Sequence, residues 1–531
     1  MTSVSRSQDP ADILFMPRTL NMKKIRLSYL IWPILSGLLT ALAFPKFNLS
    51  FLSWISLIPL FFILRGAKRK HAFGLGWLSG LAFYGLLLYW IPAVPAHYGG
   101  LSIGLSLFIY LLLIAFLALF WGLFTLITHR LNESFPKWSF LLAPFAWVSL
   151  EYILTHILTG FPWGLLGYSQ YQNLFYLQLA SVTGIYGLSF FLVLFQASFV
   201  HAISSRRRSP FFAVLICVLL IHLGGYLSIE LTPSSENNSF IGAAVQGNVS
   251  SDISWSNQSY EEILNLFDRH LELSREACQQ GADLVIWPEL SIPLCFSCPD
   301  GIYPVFIENL SRFSQSTGCT FLLGTYEISG PPGSPMYTNS AVCLKPDLSR
   351  SRYDKIHLVP FGEYTPYTFI FGFISNFTHA IGELTPGDTL RLHEHRGIPF
   401  ASPICYEIIF PNQVRRFVKL GAQFLVTITN DGWYGTGSAP HQHFAMAAVR
   451  AVENRRYLLR SATTGISGIV DPYGRILSRS NLHTQTVLSE KITPRQRLTI
   501  YSRCGDVLSW ASLTLTLLFL ILAVIKRKYA R

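Results

Sequence analysis

The sequence contains little charge for its length. Only 13% of its 531 residues are Asp, Glu, Lys or Arg, whereas soluble globular proteins carry about 25%. Half of the residues are apolar, and the mean hydropathy is +0.37. A chain with so much apolar surface to bury is not intrinsically disordered. The shortage of charge also argues against a wholly soluble protein.

Outside residues 237–503 the chain contains few acidic residues. Residues 237–503 contain 22 acidic and 22 basic residues, so this segment is neutral. The rest of the chain contains 7 acidic and 19 basic residues and carries the whole net charge of +12. The positive charge therefore does not lie on the large polar segment, and it does not indicate a nucleic-acid partner.

Long apolar runs fill the N-terminal half of the chain. Each is long enough to cross a bilayer, which takes about 20 helical residues. The predicted spans are 27–44, 47–64, 73–93, 101–128, 138–158, 177–203 and 210–230, with an eighth at 505–525. The second is the least regular, because Pro59 interrupts it. Ionisable residues within the spans are few and lie mostly near the ends, where they can reach the interface; they are Glu151, His156, His201 and His222.

The short loops between the predicted spans alternate in charge. Every second loop is basic, and these loops contain Arg65, Lys68, Arg69, Lys70, Arg130, Lys137, Arg206, Arg207 and Arg208. The opposite short loops contain no Lys or Arg except Lys46. Because basic loops remain in the cytoplasm, we predict a cytoplasmic leader at 1–26 and a membrane domain at 27–230. Both termini are then cytoplasmic, and residues 231–504 lie on the other side.

A different pattern occupies residues 237–497. Short runs rich in β-branched and aromatic residues alternate with amphipathic segments, which is typical of one α/β domain. The segment 259–281 has apolar residues at helical spacing and ends at Gly281, so it is predicted to form a helix. A C-terminal transmembrane helix at 505–525 follows this extramembrane domain.

Metal-binding patterns are weak. Cys295 and Cys298 have the spacing of metal ligands, but no second pair accompanies them. Outside the reducing cytosol a local disulfide is favoured, and a pair of free thiols is the alternative. His441 and His443 are two positions apart, which does not suit one helix face, so we predict no metal site and no cofactor. His443 is expected to be a structural hydrogen-bonding residue.

Three short strings follow predicted strands: Trp287-Pro288-Glu289, Tyr353-Asp354-Lys355 and Cys405-Tyr406-Glu407. A thiol at Cys405 would face the positive end of the following helix, which lowers the thiol pKa and favours the thiolate. A nucleophilic cysteine needs a base and a positive group for the oxyanion. Glu289 follows an apolar strand and is expected to be partly buried with a raised pKa, and Lys355 supplies a compact cation. Alone, each residue also fits a surface carboxylate, a solvated lysine or an inert core cysteine.

The order of these strings resembles the nitrilase, or carbon–nitrogen hydrolase, superfamily, whose Glu-Lys-Cys triad lies at strand ends of an αββα sandwich. Longer strings resemble the apolipoprotein N-acyltransferase family; they are GFPW at 160–163, GYSQ at 167–170, VQGN at 245–248, HLVPFGEY at 357–364 and TNDGW at 429–433. The resemblance covers nearly the whole chain after the leader. It implies a polytopic α-helical membrane domain joined to a nitrilase-like α/β extramembrane domain.

The resemblance also implies roles for four residues. Glu289 would be the general base, Lys355 the cation that stabilises the oxyanion, and Cys405 the nucleophile. Glu363 matches a second essential family glutamate, which would orient Lys355 or the base.

Further positions match supporting or substrate-binding residues of the family. These are Tyr406, whose backbone N–H would complete an oxyanion hole, Glu407 and Trp255. The alternatives are core packing for Trp255 and a carboxylate at a helix start for Glu407. The aromatic stretch 365–377 is interpreted as a lid that reaches into the bilayer, with a helix packed on the domain as the alternative.

The activity implied by the resemblance is lipoprotein maturation in the bacterial inner membrane. A fatty acyl chain would pass from a membrane phospholipid, through a Cys thioester, to the N-terminal amine of an S-diacylglyceryl-cysteine lipoprotein. The catalytic domain would lie in the periplasm, and the enzyme would act as a monomer without a nucleic-acid partner. A membrane-tethered amidase would use the same triad with water as acceptor, but one span would suffice for it. A transporter is disfavoured because polar groups within the spans are scarce.

Overall fold

The computed structural model of the chain describes residues 27–231, 238–249, 259–292, 294–298, 303–331, 334–367, 369 and 383–529. Three features predicted from the sequence fall wholly or largely outside these described residues. They are the leader 1–26, Trp255 and most of the stretch 365–377.

Apolar helices form the described part of the N-terminal half. They are α1 (Leu27–Leu42), α2 (Ile58–Gly66), α3 (Arg69–Leu87), α4 (Ala93–His97), α5 (Ile103–Ser134), α6 (Ser139–His156), α7 (Leu174–Leu177), α8 (Ala180–Thr183), α9 (Ile185–Ser205) and α10 (Ser209–Glu230). Within the described ranges, four helices are long and apolar enough to cross a membrane, namely α5, α9, α10 and the C-terminal helix Val507–Tyr529. The polytopic helical region is thus confirmed, and the count of seven spans before the α/β domain stays a prediction.

The second predicted span is divided into two pieces. A short 3₁₀ turn, Ser50–Trp54, precedes α2, and Pro59 occupies the first turn of that helix. Proline is tolerated there because the N–H it lacks has no partner in the first helical turn.

The C-terminal half is an α/β domain. Its strands are β1 (Phe240–Gln246), β2 (Leu284–Ile286), β3 (Thr320–Ser329), β4 (Met336–Leu344), β5 (Arg350–Asp354), β6 (His393–His395), β7 (Ile398–Ala401), β8 (Phe424–Thr429), β9 (Leu458–Ala462), β10 (Gly468–Val470), β11 (Ile476–Arg479) and β12 (Thr486–Ile492). Its helices are α11 (Tyr260–Gln279), α12 (Tyr303–Thr317), α13 (Pro411–Lys419), α14 (Ala439–Asn454) and α15 (Ile500–Cys504), and α16 (Val507–Tyr529) ends the described chain. The helix predicted at 259–281 is confirmed, since Ser259 caps α11 and forms a capping box with Glu262.

Two six-stranded sheets form the centre of this domain. Their strand orders are β12-β1-β2-β3-β4-β5 and β11-β10-β9-β8-β7-β6. The sheets pack face to face: the rings of Phe240 and Phe424 are 5.1 Å apart, and the Ser461 hydroxyl donates to the Val245 carbonyl at 2.6 Å. Helices α11 and α12 cover the first sheet, and α13 and α14 cover the second. This arrangement is the predicted αββα sandwich.

Two disulfides stabilise the α/β domain. The predicted local bridge between Cys295 and Cys298 is present. A second bridge, which the sequence did not indicate, joins Cys278 in the last turn of α11 to Cys319, the residue before β3.

Hydrogen bonds join the helical region to the α/β domain. The indole of Trp163 donates to Gln442 Oε1 at 2.7 Å, and the backbone N–H of Ile185, at the start of α9, donates to Glu453 Oε1 at 2.9 Å. All four residues are buried. The two halves therefore share a buried interface, and α14 supplies both of these contacts on the α/β side.

Candidate active site

The candidate catalytic residues follow the ends of strands. Glu289 lies three residues after β2, Lys355 directly follows β5, and Cys405 opens the 3₁₀ turn Cys405–Ile409 after β7. Because β2 and β7 lie in different sheets of the sandwich, the site forms where the edges of the two sheets meet. The structure brings these three residues together with Glu363, and all four are buried.

Lys355 is held between two carboxylates. Its Nζ lies 2.7 Å from Glu363 Oε1 and 3.1 Å from Glu289 Oε1, and the lysine is 1% exposed. Burial alone lowers the pKa of Lys355, but the charges of Glu289 and Glu363 offset this effect and hold the pKa well above its ordinary value. Lys355 is therefore a permanent cation in the site.

Asn339 is a site residue that the sequence did not indicate. Its Nδ2 donates to Glu289 Oε1 at 2.7 Å and to Glu363 Oε1 at 3.1 Å, so one neutral amide links the same two carboxylates as Lys355. The backbone N–H of Asn430 donates to the other Glu289 oxygen at 2.7 Å, and that of Val359 donates to the other Glu363 oxygen at 2.8 Å. Both carboxylates are thus fixed on both oxygens.

The thiol of Cys405 corrects one expectation from the sequence. Burial raises the pKa of Cys405 well above its ordinary value, and the charge of Glu289 raises it further, while Lys355 lowers it. The structure forms a short 3₁₀ turn here, and α13 begins only at Pro411, so the thiol does not gain a long helix dipole. The resting group is a neutral thiol, which needs a base.

The hydroxyl of Thr429 lies next to the sulfur. Its Oγ1 is 3.2 Å from Cys405 Sγ and 3.1 Å from Asp431 Oδ1. A hydroxyl has one hydrogen to donate. Thr429 therefore donates either to the Asp431 carboxylate or to the sulfur, and in the second case it stabilises a thiolate.

The backbone at Cys405 is strained. Its φ is +49°, in the left-handed region that costs an L-residue about 1–2 kcal/mol. His443 supports this turn: its Nε2 lies 3.1 Å from the Cys405 carbonyl oxygen and its Nδ1 lies 2.8 Å from Asp431 Oδ1. The structural hydrogen-bonding role predicted for His443 is confirmed.

Asp431 is the centre of a buried ionic group close to Cys405. Its second oxygen accepts from Arg460 Nη2 at 2.7 Å, and both side chains are fully buried. Burial would raise the pKa of Asp431, but Arg460 and His443 hold it well below its usual range. The carboxylate is therefore charged and fixed behind the turn that carries Cys405.

Glu407 connects two parts of the site without touching the thiol. Its carboxylate accepts from Ile356 N at 2.8 Å and His357 N at 3.1 Å, directly after Lys355, and from Ile404 N at 2.8 Å, directly before Cys405. Further donors are the side chains of Tyr353 and Gln413, each at 2.7 Å. Glu407 is fully buried, and burial raises its pKa. Its position is that of a structural link rather than of a group facing substrate.

Tyr406 faces the helical region. Its hydroxyl donates to the Gly160 carbonyl at 3.3 Å, and its ring packs near His357, whose Nε2 lies 3.0 Å from the Thr159 carbonyl. The ring of Trp163 lies 5.8 Å from that of His443. The loop at 159–163 therefore borders the site, and the oxyanion-hole role of the Tyr406 N–H stays a prediction.

Gly324 in β3 permits the close approach of the Glu289 turn. A Cβ at this position would lie 2.6 Å from the Glu289 Cα and 2.6 Å from the Pro288 carbonyl oxygen. Any side chain here would push the turn away from β3.

Comparisons with known proteins agree with this architecture. Residues 36–198 match the apolipoprotein N-acyltransferase N-terminal domain, and residues 243–499 match the carbon–nitrogen hydrolase domain. The apolipoprotein N-acyltransferase of Geobacter metallireducens is 36% identical, over 90% of this chain and 92% of its own. That of Haemophilus influenzae is 32% identical, over 94% and 96%. The chain belongs to the apolipoprotein N-acyltransferase family.

Family membership confirms the resemblance that the motifs indicated. The chain is an acyltransferase whose α/β part is a carbon–nitrogen hydrolase domain, and its apolar helices mark it as a bacterial membrane protein. Among solved structures it is similar to Saccharomyces cerevisiae Nit3, of the nitrilase superfamily, at 18% identity over 51% of this chain and 94% of that chain, with a TM-score of 0.38.

Proposed function

We propose that this protein transfers a fatty acyl chain from a membrane phospholipid to the N-terminal amine of an S-diacylglyceryl-cysteine lipoprotein. The acyl chain is carried as a thioester on Cys405. Membership in the apolipoprotein N-acyltransferase family supports the acceptor, and the apolar helices beside the site support a lipid donor.

One observation carries the proposal: a permanent cation, Lys355, and a fixed carboxylate, Glu289, lie in contact with each other beside the buried thiol of Cys405. Acyl transfer through a cysteine needs a base, a nucleophile and a positive group for the oxyanion. These three residues supply one of each.

The first half-reaction loads the enzyme. Glu289 accepts the proton of the Cys405 thiol as sulfur attacks the carbonyl carbon of a phospholipid ester. The resulting tetrahedral oxyanion is stabilised by the Lys355 ammonium. When the C–O bond breaks, the proton passes from Glu289 to the leaving alkoxide, so that a lysophospholipid departs and a thioester remains.

The second half-reaction unloads it. The neutral α-amine of the lipoprotein attacks the thioester carbon, and Lys355 again stabilises the oxyanion. Glu289 takes a proton from the attacking nitrogen, the C–S bond breaks, and the proton returns to sulfur to restore the thiol. The amide product is more stable than the thioester, so the transfer proceeds forward.

Covalent catalysis suits two substrates that both lie in a membrane, because the first product leaves before the second substrate enters. Water must be excluded, since it would hydrolyse the thioester. The buried site between the sheets and the loop at 159–163 supports this exclusion.

The proposed topology places both termini in the cytoplasm and residues 237–497 in the periplasm as the catalytic domain. The leader is 1–26, the membrane domain is 27–230, and 505–525 is the last span. Two disulfides within the α/β domain support an oxidising compartment for it. Thiol labelling of introduced cysteines, or N-glycosylation at introduced acceptor sites, would test on which side of the membrane each loop lies.

The mechanism is tested by incubating the purified full-length enzyme with phospholipid labelled in its acyl chains and analysing the protein by mass spectrometry. We expect a hydroxylamine-sensitive acyl adduct on Cys405 that disappears in Cys405→Ser and passes to the amine of an added diacylglyceryl lipopeptide. Cys504→Ser, which changes an exposed free cysteine, is the matched control and should form the adduct normally.

Two outcomes would contradict the proposal. A wild-type enzyme that acylates the lipopeptide without an adduct on Cys405 would exclude the thioester route. An adduct released only to water would instead identify a membrane-tethered hydrolase with the same triad.

A further inference from the structure

A second cleft lies at the end of the helical region that faces away from the α/β domain. It is a small cleft of about 50 Å³, with room for a few waters or one small polar group. It is formed by the last turn of α2, the last third of α5, the first turns of α6 and the last turns of α9. The polar residues that line it are Arg65, Thr128, His129, Asn132, Ser139 and His201.

Its position separates it from the candidate active site. Helix α9 begins at Ile185, which is hydrogen-bonded to the α/β domain, and contributes His201 to the cleft. At 1.5 Å per residue these two positions are about 24 Å apart along the helix. The cleft thus belongs to the opposite end of the helical region.

Two polar groups of the cleft, those of Arg65 and Thr128, lack partners within the described part of the chain. The Arg65 guanidinium is exposed and forms no ion pair or hydrogen bond there. Thr128 Oγ1 is a buried atom without a hydrogen-bond partner, in a residue that is 8% exposed, whereas His129 Nε2 lies 3.5 Å from Glu133 Oε1. Buried polar atoms are normally satisfied, so the Thr128 hydroxyl is available to a ligand.

The nearest carboxylate does not neutralise the site. Glu133 Oε1 lies 3.5 Å from His129 Nε2, but this side chain is half exposed, and its other oxygen lies 3.6 Å from Arg130 Nη1. One carboxylate is therefore set against two arginines, Arg65 and Arg130, and the local charge favours an anion.

The other walls of the cleft are apolar. They consist of Phe61, Leu64, Phe140, Ala143, Ala197 and Val200. A free inorganic anion gains no free energy from contact with apolar walls, whereas an amphiphile would place its chains or glycerol backbone against them. The combination of a cationic rim and apolar walls matches a phosphate group that is attached to lipid chains.

We infer that this cleft binds a phospholipid of the leaflet opposite the α/β domain, with its phosphate on Arg65 and its chains along α2, α6 and α9. Arginine binds phosphate oxygens through two parallel N–H groups, and Thr128 supplies a further polar contact. The site is distinct from any acyl-donor site, since it lies at the other end of the helices. It does not depend on the catalytic mechanism proposed above.

Native mass spectrometry of the delipidated full-length protein in detergent tests the inference. The probes are dioleoyl phosphatidic acid, dioleoylglycerol with the same chains but no phosphate, and inorganic phosphate. We expect Arg65→Gln to weaken one phosphatidic acid site about tenfold, the effect of losing one charge-assisted contact. Lys137→Gln removes an exposed charge that does not line the cleft and should leave binding unchanged.

A phosphatidic acid probe with a photoreactive head group locates the site directly. Adducts should map to peptides of α2 or the start of α6 and should diminish in Arg65→Gln. Equal binding of dioleoylglycerol, displacement by millimolar inorganic phosphate, or equal binding by wild type and Arg65→Gln would each overturn the inference. Acyl transfer by Arg65→Gln should match wild type, so a failed catalytic mechanism would not change this result.

Discussion

The carboxylate of Glu407 accepts a hydrogen bond from the backbone N–H of Ile356 at 2.8 Å. Ile356 is the residue after Lys355, and Glu407 is two residues after Cys405. A buried side chain in the turn that carries Cys405 thus fixes the segment that carries Lys355.

Glu407→Gln should therefore lower acyl transfer although residue 407 does not touch the thiol. An amide presents an N–H₂ group where the carboxylate accepts several donors, and a displacement of 1 Å between catalytic groups costs about 100-fold in rate. The readout is the rate of adduct formation on Cys405. Glu308→Gln, on the exposed face of α12, is the control and should keep the wild-type rate. A Glu407→Gln enzyme with the wild-type rate would show that the link is dispensable.

Asn339→Asp should change the pH dependence of the reaction. A third carboxylate beside Glu289 and Glu363 makes the acidic cluster as a whole bind a proton more tightly. Because the base must be unprotonated, the acidic limb of the rate profile should move to higher pH by about one unit. Asn339→Ala removes the amide without adding charge. It should lower the rate, and it should shift the acidic limb of the profile less than Asn339→Asp does. Identical profiles for Asp and Ala variants would contradict this electrostatic role.

Gly324→Ala should displace the turn that carries Glu289, since the added Cβ would lie 2.6 Å from the Glu289 Cα. We expect adduct formation to fall by about 100-fold, while the protein remains folded by circular dichroism. The matched variant is Gly224→Ala in α10, where an added Cβ meets no atom within 4 Å. Full activity of Gly324→Ala would show that the turn can shift without consequence.

Asp431→Asn should destabilise the protein in a pH-dependent manner. At neutral pH it leaves Arg460 buried without its carboxylate, which costs roughly 3–5 kcal/mol. The native pKa of Asp431 lies well below its value of about 3.9 in the unfolded chain. Its stabilisation is thus present above pH ~3.9 and is lost as the pH falls through the native pKa. Thermal unfolding midpoints of wild type and variant should converge toward acidic pH, while exposed Asp268→Asn should match wild type throughout. A constant difference down to acidic pH would contradict this account.

Much of the site follows from local sequence. Apolar strands followed directly by WPE, YDK and CYE place Glu289, Lys355 and Cys405 at strand ends, and the αββα fold brings those ends together. The contact of Lys355 with Glu363 agrees with the short distance between them in the chain.

Other site residues depend on register and packing that local pattern does not contain. Asn339 lies inside β4, and it reaches Glu289 only because β4 pairs with β3 and β3 pairs with β2. The Cys278–Cys319 bridge joins positions 41 residues apart, and its pairing depends on how α11 packs on the sheet. The raised pKa of Cys405 follows from burial by both sheets, which outweighs a turn of five residues.

The buried contacts of Trp163 with Gln442 and of Ile185 with Glu453 have a consequence for the choice of acceptor. These contacts fix the position of the Cys405 sulfur along the axes of the apolar helices. An amine joined to its lipid anchor by a few atoms would reach that position, whereas an amine on a longer spacer would lie too far from the bilayer. Under the proposed mechanism, the distance between anchor and amine is then a property by which the enzyme would distinguish its acceptors.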